Sequence, residues 1–195
     1  MAPSPTYTTV ALEASTWAAF ADLVDRNNGV YGGCWCISWH LVTGMRGTID
    51  NRSTKEQLVR SGEAHAALVL DEAGIAQGWA QFGSAAELPG IKHRREYDKD
   101  APPVPDWRLA CIFVDPRHRG QGVARAAVEG ALGLMAAAGG GLVEAIAEET
   151  VGRSAPGRFL FSTTAELLEE FGFGRIRKVG KHAWVLGLQL EPMPT

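Results

Sequence analysis

The 195-residue sequence predicts one mixed α/β domain. A central, mostly antiparallel twisted sheet carries a parallel strand–helix–strand core and flanking helices. Three observations predict this. Apolar runs within residues 64–83 flank a turn at Asp71–Gly74, which reads as an antiparallel hairpin. "WRLACIFV" (107–114), a helical period after Gly122 and "LVEAIA" (142–147) then follow as buried strand, helix and buried strand. Such a unit closes parallel and right-handed. A last helix and a second hairpin around Gly180–His182 complete the chain.

Each element has a local reason. Trp17, Phe20, Ala21 and Val24 recur at helical spacing, so a helix runs over about 15–26, with Ser15 or Thr16 as cap. "NNGVYGGCWCISWH" (27–40) is loop-like and aromatic. Ser53 stands three residues before Glu56, a capping-box spacing, so a second helix starts at Ser53 and stops before Gly62. Gly78, inside the hairpin's second run, marks a bulge or a close backbone approach. Four prolines and many charges make 84–106 an exposed connection. Ala124, Ala127, Val128, Ala131 and Met135 keep a helical period that the glycines at 139–141 end. Thr163 and Glu166 cap the last helix.

Composition narrows the function. Nineteen Lys and Arg against 22 Asp and Glu give a net charge of −3, which argues against a broad nucleic-acid surface. No apolar run approaches the roughly 18 residues of a membrane span. The N-terminal stretch lacks the charged-then-apolar order of a secretion signal. Three cysteines (Cys34, Cys36, Cys111) and no such signal point to a reducing cytoplasm. Neither nucleic acid nor membrane is expected as a partner.

"DPRHRGQGVARAAV" (115–128) carries chemistry. It lies where a strand gives way to a helix, whose first N–H groups lack internal partners and whose dipole favours an anion. Gly120 and Gly122 let the backbone curl close to a bulky ligand, and Arg117 and Arg119 add bidentate donors. Together they make a phosphate cradle. No Gly-Lys-Ser/Thr follows, so it is not a P-loop, and the third glycine of a dinucleotide fingerprint is missing.

"FVDPRHRGQGVA" resembles the acyl-CoA pyrophosphate loop of the GNAT superfamily of N-acetyltransferases: Arg117, Gly120 and Gly122 match its pattern. "EEFGFGRI" resembles that family's last helix with its terminal Gly-Phe, here Gly172 and Phe173, and Gly78 matches a glycine of its sheet. The resemblance covers roughly residues 64–190. It implies a GNAT-like single domain over 1–195, with 61–190 carrying the motifs and 1–60 forming a helical region on the acceptor side. It also implies acetyl-CoA as cosubstrate, with Phe113 and Val114 along the pantetheine and thioester. Arg117, Arg119, Gly120, Gln121, Gly122, Val123 and Ala124 would surround the pyrophosphate. The expected reaction is direct attack of a small molecule's primary amine on the thioester, in which positioning supplies much of the rate. The family's usual tyrosine acid is absent: Leu168 stands there, and Ser162 is the nearest hydroxyl.

Glu144, in an apolar strand, is the candidate base, since burial raises a carboxylate pKa. The alternative is a structural pairing with Arg175 or Arg177. Glu148 and Glu149 read as more exposed. In "GGCWCISWH", Cys34, Cys36 and His40 are zinc ligands by chemistry, but no fourth ligand completes a site, so no metal is expected. Tyr31, Trp35, Trp39 and His40, with Gln81 from the hairpin, suit an acceptor pocket and equally suit a core. Two other functions stay open: a non-catalytic acyl-CoA sensor on the same fold, and a thiol- or metal-responsive module built on Cys34, Cys36 and His40. Edge strands near the C-terminal hairpin allow a homodimer.

Overall fold

The computed structural model describes residues 6–41, 49–100, 103–152 and 160–194. Seven strands form one sheet. They are β1 (Thr8–Ala11), β2 (His65–Leu70), β3 (Ala76–Ser84), β4 (Trp107–Val114), β5 (Gly141–Glu148), β6 (Gly174–Lys178) and β7 (Ala183–Leu190). Their spatial order is β1-β2-β3-β4-β5-β7-β6. Every pairing is antiparallel except β4 with β5, which run parallel, as the strand–helix–strand reading requires.

Among the described residues the α-helices are α1 (Trp17–Asp25), α2 (Asn51–Arg60), α3 (Arg94–Tyr97), α4 (Val123–Ala137) and α5 (Ala165–Glu169). Helix α4 lays Val123, Ala127, Val128, Ala131 and Met135 against one face of the sheet. On the other side, Trp17, Phe20, Leu23 and Val24 of α1 pack with Trp35, Trp79 and Phe113. The Phe20 and Trp79 rings meet at 5.0 Å, and Trp79 and Phe113 stack at 4.7 Å. Among the described residues no helix is long and apolar enough to cross a membrane.

Several local expectations shift. Helix α2 starts at Asn51, capped by Asp50, whose side chain accepts from the Arg52 amide; the Ser53 hydroxyl instead donates to Asp50. The α5 cap is Thr164, which accepts from the Leu167 amide, while Thr163 takes a left-handed φ of 65°. Thr16 is the α1 N-cap without a side-chain capping bond, because its hydroxyl donates to the Ala11 carbonyl. The 84–106 connection is not wholly exposed: it holds the short α3 and buries Leu88 and Tyr97. At Gly78 the close-approach reading holds, since a Cβ there would lie 2.6 Å from the Phe113 carbonyl oxygen and from a Val123 methyl. A bulge lies beside it too: Val69 pairs with Gly78 but Leu70 with Ala76, so Gln77 is the extra residue, and further register shifts fall between Ala80 and Phe82 and between Arg175 and Arg177.

What positions the site is the parting of the parallel pair. Residues 107–109 of β4 pair with 143–145 of β5 and no further. Beyond that point the Ile112 amide donates to the Phe161 carbonyl at 2.8 Å. The chain before α5 therefore lines the opening between the two strands, at their C-terminal ends where α/β sheets commonly bind ligands.

Candidate functional site

Two cavities meet at Tyr31. The first, about 540 Å³, is lined by Ile112 and Val114 of β4, by His118, Arg119, Gly120 and Gly122, by the first turn of α4 and by Leu160, Thr163 and Leu167. Gly120 and Gly122 have φ of 72° and 90°, and a Cβ on either would meet nothing within 4 Å. The turn is thus open, and its left-handed φ favours glycine. Gly122 is the α4 N-cap and has no side chain to cap with, so the first-turn N–H groups stay available to an anion. Arg119 and Arg125 add positive charge to the lining. A diphosphate fits the donor set.

The expected cradle residues divide. Val114, Arg119, Gly120, Gly122, Val123 and Ala124 line this cavity. Phe113, Arg117 and Gln121 are not among its lining side chains. Phe113 is buried against Trp79. Gln121 donates to the Arg117 carbonyl. Arg117 is turned onto Asp115, giving Nε to Oδ1 at 3.0 Å and a guanidinium NH₂ to Oδ2 at 2.7 Å. Sequence reading left His118 and Arg125 out of the lining, although both lie within the quoted motif.

Asp115 is the brace of this turn. It is fully buried at the end of β4, and Arg26 and Asn27 also donate to its Oδ2, at 3.1 and 3.3 Å. Arg26 in turn reaches the Ala76 carbonyl, Gln77 and Asp22. Donation from Arg117 holds the Asp115 carboxyl far below the usual carboxylate range, against the opposing effect of burial.

The second cavity, about 500 Å³, lies on the other side of Tyr31 and is mainly aromatic and thiol-lined: Tyr31, Trp39, Phe161, Cys34 and Cys111, with Ser38, Ile91, Lys92 and His93. Phe161 lies 6.1 Å from Tyr31 and 6.2 Å from Trp39, centroid to centroid. Of the five expected acceptor residues, Tyr31 and Trp39 line it. Trp35 is buried against Trp17, with Arg52 over its ring at 5.2 Å.

His40 and Gln81 belong to a polar network behind the wall. The Gln81 amide and the buried Lys55 ammonium approach His40 Nε2 at 2.6 and 3.1 Å, and Cys36 donates to Gln81 at 2.7 Å. Two donors on one ring nitrogen require a neutral imidazole. Burial, and then the Lys55 charge, push His40 down to about 3. A histidine neutral when folded but titrating near 6.5 when unfolded withholds a proton that the unfolded chain binds. Its contribution is therefore complete above pH 6.5 and lost as pH falls toward 3. Urea melts between pH 7 and 5 should show stability falling by up to about 1.4 kcal/mol per pH unit, and a His40→Gln variant should show a shallower slope. Equal slopes would mean that the ring takes up its proton in the fold.

Glu144 is buried on β5, beside Arg108 of β4 in the parallel register. The Tyr97 hydroxyl donates to both carboxylate oxygens, at 3.1 and 2.9 Å, and Arg108 Nε stands 3.5 Å away. Its ion pair is thus with Arg108 rather than with Arg175 or Arg177. Burial raises its pKa, and Tyr97 and Arg108 oppose the rise. A gap of about 10 Å³ touches Glu144 and also Trp39, Gly90 and Ile91, which line the second cavity. A space of that size holds roughly one water. Ser162 stands between Phe161 and Thr163, which line the two cavities, and its buried hydroxyl has no hydrogen-bond partner among the described residues. Leu168 is fully buried in the α4-side core. Glu148, read as exposed, is in fact buried and takes the Lys92 ammonium at 2.6 Å. Among the described residues no three His, Cys, Asp or Glu side chains are placed to hold a metal ion.

Comparisons bear on the family and the fold. Residues 37–155, more than half of the chain, match the family model for the acetyltransferase (GNAT) family. No curated protein gives a significant sequence match. Solved structures of similar fold include a Corynebacterium glutamicum protein named histone acetyltransferase HPA2 and related acetyltransferase, at 20% identity and a TM-score of 0.54, covering 99% of each chain. An N-acetyltransferase from Staphylococcus aureus matches at 17% and 0.53, over 95% of this chain and 99% of its own. A mosquito arylalkylamine N-acetyltransferase-like protein matches at 13% and 0.56, over 95% of this chain and 100% of its own. At such identities the likeness is one of fold.

Proposed function

We propose that this chain, which belongs to the GNAT family of acetyltransferases, moves the acetyl group of acetyl-CoA to the primary amine of a small-molecule acceptor by direct attack on the thioester. One observation carries the reading: a cationic glycine turn at a helix start and an aromatic cavity meet at the single side chain of Tyr31. Acetyl-CoA is the family's cosubstrate.

Backbone N–H groups from Arg119 to Ala124 hold the pyrophosphate in this reading, and the strand edge at Phe113 and Val114 guides the pantetheine. Arg117 and Gln121 brace the turn. Tyr31 and Trp39 hold the acceptor, with Trp35, His40 and Gln81 shaping the wall behind them. Glu144 takes the amine proton through one bridging water, and Ser162 returns a proton to the thiolate. The three free cysteines support a cytoplasmic setting.

A screen of small amines with acetyl-CoA tests the activity. Glu144→Gln should lower kcat by about 10²–10³ with little change in the KM for acetyl-CoA, since a positioned base is worth about 10²–10⁴. An unchanged kcat in a variant of unchanged melting temperature removes Glu144 from the chemistry. The buried Leu168 at the family's tyrosine position favours a second reading, binding without turnover. Acetyl-CoA binding with no amine acetylated would establish that one.

A further inference from the structure

We propose that Lys92 is a self-acetylation site: when no external amine is present, its Nζ takes the acetyl group itself. The inference rests on the acetyl-transfer reading above. Among the described residues lining the two large cavities, Lys92 carries the one primary amine. It sits on the acceptor side. Its side chain is only 14% exposed, so its head is held in the cavity rather than spread through solvent. Nζ lies 4.8 Å over the Phe161 ring, whose backbone carbonyl is bonded to β4 at Ile112 and whose edge meets Tyr31. The amine is thus one ring away from the side chain that separates the two cavities.

Glu148 supplies the second half of the chemistry. Its carboxylate accepts from Lys92 Nζ at 2.6 Å, close enough to receive a proton as the nitrogen gives it up. In the step, the Nζ lone pair forms the C–N bond to the thioester carbonyl carbon. The C–S bond breaks, and its electron pair leaves on the CoA sulfur. Of the two protons that the ammonium loses, one ends on that sulfur, and the other passes through Glu148 to solvent. The products are free CoA and an N-acetyl-lysine. Acetylation removes the positive charge, dissolves the pair with Glu148 and the contact over Phe161, and leaves an acetamide in the acceptor cavity. Self-modification should therefore slow the acetylation of external amines.

The test incubates the full chain with acetyl-CoA and no amine, then maps the modified lysines by mass spectrometry, with a calorimetric titration of acetyl-CoA alongside. One acetyl group should appear at Lys92, at a rate independent of protein concentration and at least about tenfold faster than at the exposed Lys99, Lys178 and Lys181, since the bound donor is local to Lys92 alone. Lys92→Arg should lose that acetyl group and still bind acetyl-CoA. Binding without modification, equal labelling of the exposed lysines, or a rate rising with protein concentration would each overturn self-acetylation and leave the acetyl-CoA site standing. No binding of acetyl-CoA would overturn both.

Discussion

Gly122→Asp and Arg119→Ala should each weaken acetyl-CoA binding, and for different reasons. Arg119 lines the cradle and lies exposed on the turn, so its loss removes a charged donor without disturbing the core. One such contact is worth about 1.5–3 kcal/mol, or roughly ten- to over a hundredfold in affinity. At Gly122 the effect is larger. Its φ of 90° strains any L side chain, and the added carboxylate would stand at the α4 N-terminus, where the pyrophosphate needs positive potential. Titration calorimetry with acetyl-CoA and with free CoA reads both. The two ligands share the pyrophosphate, so both should weaken together. Unchanged affinity in both variants would place the cofactor elsewhere.

The strand–helix–strand core, both hairpins and the cradle turn are legible in the sequence because their signals are local. Apolar runs, a helical period and two glycines stand within a few residues of one another. What escapes is short or long-range. Strand β1 has four residues on a sheet edge, too few to show a period. Tyr97 hides in the charge run at 92–99, yet it is buried and bonded to Glu144, 47 residues away. The partners of Glu144 come from β4 and α3, so no local pattern announces them. The aromatic stretch at 31–40 divides between cavity and core because its backbone turns through left-handed φ at Tyr31, Trp35 and Cys36, sending neighbouring side chains in different directions. The capping threonine before α5 is missed by one position, since adjacent threonines offer the same chemistry and only the backbone path chooses between them.

Asp115 ties the cradle to the fold, and its removal should be felt in both stability and binding. The carboxylate is fully buried and serves Arg26, Asn27 and Arg117 together. Asp115→Ala takes from the part-buried Arg26 guanidinium the buried one of its two carboxylates and leaves only the more exposed Asp22, and losing such a charged hydrogen bond costs about 1.5–3 kcal/mol. Because the folded pKa lies below the unfolded one, the stabilisation is present above about pH 4 and disappears as pH falls further. Acid unfolding of the wild type should therefore carry a component below pH 4 that the Ala variant lacks. Asp115 is also the N-cap of the tight turn at Pro116–His118, accepting from the Arg117 amide. Loosening that turn moves the start of the loop that presents Arg119 and the two glycines. The Ala variant should then bind acetyl-CoA more weakly although Asp115 does not line the cavity. Arg117→Ala separates the two effects: it removes an exposed partner and leaves Arg26 in place, so stability should fall by less than about 1 kcal/mol. Equal losses of stability in the two variants would show that Arg26 does not depend on Asp115.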